Sequence, residues 1–83
     1  MKLLYFAWVR QRTGVGEEDV ELPDGIGTVS DLIDWLRGRD EGYEAAFANL
    51  EVIRAAVDQE HVALDAPIDG AREVAFFPPV TGG

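Results

Sequence analysis

"EVAFF" (Glu73–Phe77) runs straight into "PPVTGG" (78–83), and the join between them decides how the chain is built. The first five residues are apolar almost throughout, as in a strand lying inside a sheet rather than at its edge. Pro78 and Pro79 lack the N–H that a ladder needs and hold φ near the polyproline value. The sheet therefore stops at this point, and the chain is expected to leave the body of the protein as a stiff strut. Near the other end, "KLLYFAWV" (2–9) is apolar at both parities. It predicts a second central strand.

Between these two strands the sequence alternates turn signals with short patterned segments. "RQRTGVGEE" (10–18) is polar with two glycines and predicts a turn, and "DVELP" (19–23) predicts a short strand stopped by Pro23 and hairpinned to the first. "DGIGTVSDLIDWLRGR" (24–39) contains the clearest helix, because Val29, Leu32, Ile33 and Leu36 fall at i, i+3, i+4 and i+7. Thr28 with Asp31 three residues on forms an aspartate variant of the capping box, Gly38 marks the stop, and Trp35 flanks the stripe at the edge of the core. A shorter helical turn is read from Tyr43, Phe47 and Leu50, strands from "VIRAAVD" (52–58) and "HVAL" (61–64), and a loop from "DAPIDGARE" (65–73).

This order predicts an α+β domain of two layers. One main helix packs on one face of a small mixed sheet whose first and last strands lie side by side at the centre. That arrangement is the β-grasp, or ubiquitin-like, fold. Residues 1–78 would form the domain and residues 79–83 a flexible projecting tail.

Composition narrows the function. A chain of 83 residues supports one modest core. The absence of cysteine removes disulfides, thiolate metal sites and a cysteine nucleophile. Sixteen acidic against seven basic residues give a net charge of −9, the wrong sign for a nucleic-acid backbone and the right one for steering toward a basic protein surface. No apolar run approaches the ~18 residues of a membrane span. No cleavage pattern follows "LLYFAWV", so a cytoplasmic location is expected.

The side chains offer no catalytic set. The single serine, Ser30, belongs to the predicted helix and is read as a capping or solvated residue. The single histidine, His61, cannot build a zinc site alone and is read as a surface residue. "EED" (Glu17–Asp19) lacks the spacing of a calcium loop and predicts a solvated acidic turn. Gly14, Gly16, Gly25 and Gly27 have no following Lys-Ser/Thr and so form turns rather than a phosphate cradle. No metal site and no cofactor of the chain's own are expected.

The remaining candidate is the tail. Five residues, Pro79 to Gly83, reach at most ~17 Å when extended. Gly82 and Gly83, lacking side chains, fit a channel no wider than the backbone. A carboxylate is a poor electrophile until it is activated, most simply as an acyl-adenylate made with ATP. An activating enzyme would have to supply the nucleotide site. The activated Gly83 carbonyl could then pass to an amine or to sulfur.

"EVAFFPPVTGG" (73–83), "RAAVDQ" (54–59) and "FAWVRQRTG" (6–14) give the chain its resemblance to the small, sulfur-carrying subunits of molybdopterin synthases. The resemblance implies that an E1-like adenylating enzyme activates Gly83 with ATP and that a sulfur donor protein converts it to a thiocarboxylate. The sulfur would then pass to cyclic pyranopterin monophosphate inside the large synthase subunit, which holds the catalytic residues in a heterotetramer. By position, Gly83 is the carrier and Gly82 its slender approach, with Pro78, Pro79, Val80 and Thr81 forming the rest of the tail. The same resemblance implies that Phe6, Arg10, Phe77 and His61 fall on the partner-facing surface. His61 stands where an apolar contact is expected, and Asp58 where asparagine is more usual. A carrier for the thiamin thiazole, a ubiquitin-like protein modifier and an interaction domain with an inert tail are the rival readings.

Overall fold

The first strand is half as long as its apolar run predicts. The computed structural model describes residues 1–79, and in it β1 covers only Lys2–Tyr5. At Ala7 the backbone enters the left-handed region, with φ 52°, and winds into α1, Ala7–Thr13. The Phe6 carbonyl accepts the first helical N–H groups, from Val9 at 3.1 Å and Arg10 at 3.4 Å. Gly14 closes the helix at φ 86°, a conformation that glycine adopts without the Cβ penalty. The expected strand over residues 6–9 and the expected turn over 10–13 are thus both corrected to helix. A short apolar run does not distinguish a buried strand from a buried helical segment. Here only one face of the sheet is covered, so an extended chain would have set Phe6 and Trp8 beside Leu4 in water. Winding instead buries Val9 completely and packs Trp8 against the core.

The other elements are β2 (Glu17–Asp19), α2 (Val29–Arg37), α3 (Glu41–Ala46), β3 (Arg54–Val57), β4 (Glu60–Val62) and β5 (Glu73–Phe77), with a 3-10 turn at Leu50–Val52. The sheet order is β2-β1-β5-β3-β4. β1 and β5 lie parallel at its centre, with Leu4 opposite Ala75, and the other pairings are antiparallel. The central placement of the first and last strands is as expected. The second strand pairs with the first as expected, but it lies at Glu17–Asp19 rather than 19–22, and a helix interrupts the connection.

Side-chain alternation sends Leu3, Tyr5, Ala55, Val74 and Phe76 toward the helices. There they meet Val29, Leu32, Ile33 and Leu36, the stripe read from the sequence, together with Tyr43, Ala46 and Phe47. Phe76 sits at the middle of this core, stacked on Tyr5 at 6.0 Å and edge-on to Phe47 at 5.0 Å. The Thr28 capping box forms as expected. Thr28 Oγ1 accepts from the Asp31 N–H at 3.1 Å, and Asp31 Oδ2 accepts from the N–H groups of Thr28 and Gly27. Trp35 packs at the core edge. The helical turn read around Tyr43 is α3, capped by Asp40, whose side chain accepts from the N–H groups of Gly42 and Tyr43.

Two hydrogen-bonded devices are not apparent from local patterning. The turn between β3 and β4 is the pair Asp58-Gln59, both at positive φ (49° and 71°), the geometry of a two-residue type I′ hairpin. Asp58 also accepts from the N–H groups of Arg72 and Glu73, fixing the entry to β5. The "EED" segment is an edge strand, not a solvated turn. Glu18 faces the helices and accepts hydrogen bonds from Tyr5 Oη at 2.8 Å and Tyr43 Oη at 2.6 Å, while its other oxygen pairs with Arg39 at 2.9 Å.

α1 packs closely on α3 at Gly42, where a Cβ would lie 2.6 Å from the Arg12 carbonyl oxygen and 3.1 Å from Asp40 Oδ1. Backbone cannot yield as a flexible side-chain tip does. Gly42→Ala is therefore expected to lose about 1–3 kcal/mol, the usual cost of overpacking, read as a lower urea midpoint at unchanged slope. Among the described residues, no helix is long and apolar enough to cross a membrane.

Candidate functional site

The face of the sheet opposite the helices is left open, and its relief follows from the strand register. One row across it reads Leu4, Ala75, Ala56, His61, from β1 through β5 and β3 to β4. The two central positions carry only methyl groups, while Leu4, Phe6, Phe77 and His61 stand taller around them. The result is a depression of about 380 Å³ lined also by Gln59 and Glu73. Ala56 and Ala75 are 6 % and 7 % exposed although no helix covers them, because these neighbours shield them.

The local structure explains the position of each wall. Phe6 is the extended residue just before α1, its N–H held by the Phe76 carbonyl at 3.1 Å, and its ring remains 49 % exposed. Phe6 therefore stands at the rim of the open face and not in the core. Phe77 ends β5, its ring centroid 5.0 Å from that of His61. Phe6, Phe77 and His61, chosen from the sequence, thus line one depression.

Arg10 lines a neighbouring depression of about 550 Å³ with Phe6, Leu4, Val15, Gly16 and Glu17. A Cβ at position 16 would lie 3.0 Å from its Nε, so the Arg10 side chain passes close over Gly16. Pro78 and Pro79 follow β5 outside the strand and are half-buried. The tail residues Val80, Thr81, Gly82 and Gly83, including the expected carrier, lie outside the described residues.

Sequence reasoning missed Leu4, Ala56 and Ala75. Period-two alternation within "LLY", "RAA" and "EVA" would have placed them on one face, but their common row requires the register. Ser30 neither caps its helix nor meets His61; its hydroxyl donates to the Leu64 carbonyl at 2.9 Å. Among the described residues, no group of three or more His, Asp or Glu side chains is placed to hold a metal ion.

Electrostatics concentrate on the opposite side of β2, at Glu18. Burial would raise its pKa, but the hydroxyls of Tyr43 and Tyr5 and the Arg39 guanidinium outweigh that and hold it below the ordinary glutamate value of 4.5. Burial and the adjacent carboxylate push the Tyr43 hydroxyl up to about 12 and the Tyr5 hydroxyl further in the same direction. None of these groups reaches the open face. They hold the edge strand, not a substrate.

Parallel central strands formed by the two ends of the domain, helices on one face and an apolar open face on the other define an α+β, ubiquitin-like β-grasp protein. The chain belongs to the ThiS family, matched over residues 3–83. It is 37 % identical over 83 residues to the molybdopterin synthase sulfur carrier subunit of Escherichia coli (strain K12), covering 100 % of this chain and 99 % of that protein. The corresponding subunit of Haemophilus influenzae is 29 % identical over 83 residues, with the same coverage. Among solved structures, SAMP1 from Haloferax volcanii superposes with a TM-score of 0.75 at 30 % identity, covering 100 % of this chain and 98 % of that one. The resemblance read from "FFPPVTGG" is therefore carried by relatives along the whole chain.

Proposed function

We propose that this chain is the sulfur carrier subunit of a molybdopterin synthase, with Gly83 as the carrier. The observation that carries this reading is the 37 % identity to such a subunit across the entire chain. In the proposed cycle an E1-like enzyme attacks ATP with the Gly83 carboxylate, forming the acyl-adenylate and releasing pyrophosphate. A persulfide of the sulfur donor protein then attacks the acyl carbon and expels AMP, and a thiol cleaves the resulting acyl disulfide, leaving a terminal thiocarboxylate on Gly83 and a disulfide on the donor side. Within the large subunit that sulfur bonds to a carbon of cyclic pyranopterin monophosphate, and water cleaves the resulting thioester and returns Gly83 as a carboxylate; two such deliveries build the dithiolene.

This division of labour assigns no cofactor to the carrier itself and leaves ATP to the activating enzyme. The working assembly is a cytoplasmic heterotetramer with the large subunit. The apolar depression beside the end of β5 supports docking next to the point where Pro78 and Pro79 start the tail. Burying Phe6 and Phe77 there would contribute at about 25 cal/mol per Å² before association costs.

The test is the intact mass of the protein after incubation with a matching activating enzyme, ATP and a sulfur donor, with the terminal peptide sequenced. Replacement of one oxygen by sulfur at Gly83 is the expected result. The likeness to a small archaeal modifier protein, with a TM-score of 0.70 and 29 % identity, favours conjugation as the second reading. An unchanged mass despite ATP consumption, with Gly83 joined to lysines of other proteins, would establish that reading instead.

A further inference from the structure

Among the walls of the open-face depression, His61 alone carries a titratable ring, and among the described residues its nitrogens have no hydrogen-bond partner. Its ring lies against Phe77 at 5.0 Å, beside the origin of the tail. Anything that covers this face must therefore either satisfy the imidazole or leave it desolvated and unpaired, which is unfavourable.

The surrounding charges limit what can satisfy it. Across the strand from His61 is Ala56, and the nearest basic group on that face of β3, Arg54, has its guanidinium engaged by the Glu51 and Ile53 carbonyls at 3.0 Å each. On β5 the depression is bordered by Glu73, and the adjoining turn holds Asp58, already accepting from two backbone N–H groups, while Glu60, next to His61 on β4, pairs with Val57 on the other side of the sheet. With these carboxylates and a chain charge of −9, the face complements a basic partner surface.

We infer that neutral His61 is the specificity-determining acceptor of this face, taking a hydrogen bond from a lysine or arginine of the docked partner, so that docking weakens on acidification. The inference rests on the proposed function, which identifies the partner as the large synthase subunit. Protonation turns the acceptor into a donor and sets a cation against a cation. Both effects act only in the complex.

The experiment is a calorimetric titration of the large subunit with the full chain and with His61→Leu, across the range of about pH 5 to 8 in which histidine changes charge. Leucine fits the apolar row and cannot titrate, so the variant also cancels any pH dependence arising in the partner itself. The wild-type chain is expected to lose roughly tenfold more affinity than the variant between the two ends of that range. Equal pH dependence in both proteins, or tightening of the wild type on acidification relative to the variant, would overturn the role of His61 while leaving the carrier reading intact. Absence of binding by either folded protein at every pH would overturn both the docking and the functional reading beneath it.

Discussion

Deleting Gly83 is expected to abolish sulfur transfer while leaving the folded domain unchanged. Removing one residue withdraws the terminal carbonyl by ~3.3–3.6 Å, and a misplacement of even ~1 Å can cost about a hundredfold in rate. The activating enzyme would meet a carboxylate short of its adenylation geometry, and a thiocarboxylate formed there would fall short of the pterin. Stability should not follow, because among the described residues the sheet ends at Phe77 and the fully buried side chains run from Leu3 to Phe76. The urea midpoint should therefore match that of the intact chain. A clear fall in midpoint would mean that the tail belongs to the fold, and sulfur transfer above about one hundredth of the intact rate would remove Gly83 from the role of carrier.

Replacing Glu18 with leucine is expected to be the most damaging change away from the tail. Tyr5 is 1 % and Tyr43 5 % exposed, and both hydroxyls donate to this one carboxylate. Leucine leaves two donors without acceptors and frees Arg39. At about 1–3 kcal/mol for each stranded group, less what water can recover, the loss should be about 2–4 kcal/mol. For a domain of this size that lowers the Tm by roughly 10–25 °C. Changing Tyr5 and Tyr43 to phenylalanine in the same protein should restore most of the loss, because an apolar replacement of both partners is nearly neutral. Failure of that rescue would show that Glu18 acts through the edge strand rather than through the hydroxyls.

The same cluster sets a pH window. The folded-state pKa of Glu18 is depressed, so its contribution is present above the ordinary value of 4.5 and is lost as pH falls through the lower folded value. The tyrosine values are raised, so their contribution is complete below the ordinary 10.0 and is lost as pH rises, for Tyr43 through about 12. Stability should therefore be flat between these limits as far as this cluster is concerned. Glu18→Leu should flatten the acid limb, which thermal melts across acid pH would check.

What could be read along the chain was whatever depends on neighbours in sequence. The α2 stripe and its Thr28–Asp31 box are contacts within one or two helical turns, so spacing alone specifies them. The two-sided apolar character of "EVAFF" and the strand-ending prolines likewise located the centre of the sheet, and the Gly-Gly motif located the candidate carrier. α1 was not legible because a run of apolar residues suits either a strand or a helix. The choice fell to a sheet with one open face, on which Phe6 and Trp8 could not both remain extended without exposure. Glu18 was misread for a related reason. Its partners Tyr5, Tyr43 and Arg39 stand 13, 25 and 21 residues away and meet it only once β2 pairs with β1 and α3 covers that edge. The open-face depression is the third case. Leu4, Ala56, His61 and Ala75 are scattered over most of the chain, and only the inter-strand hydrogen bonds, by setting register, align their side chains in one row. Sequence alone thus determined the fold class, which resides in local spacing, and singled out the tail as the candidate working part. Tertiary structure decided the surface beside that tail, because side chains from distant strands share a face only after the sheet has closed.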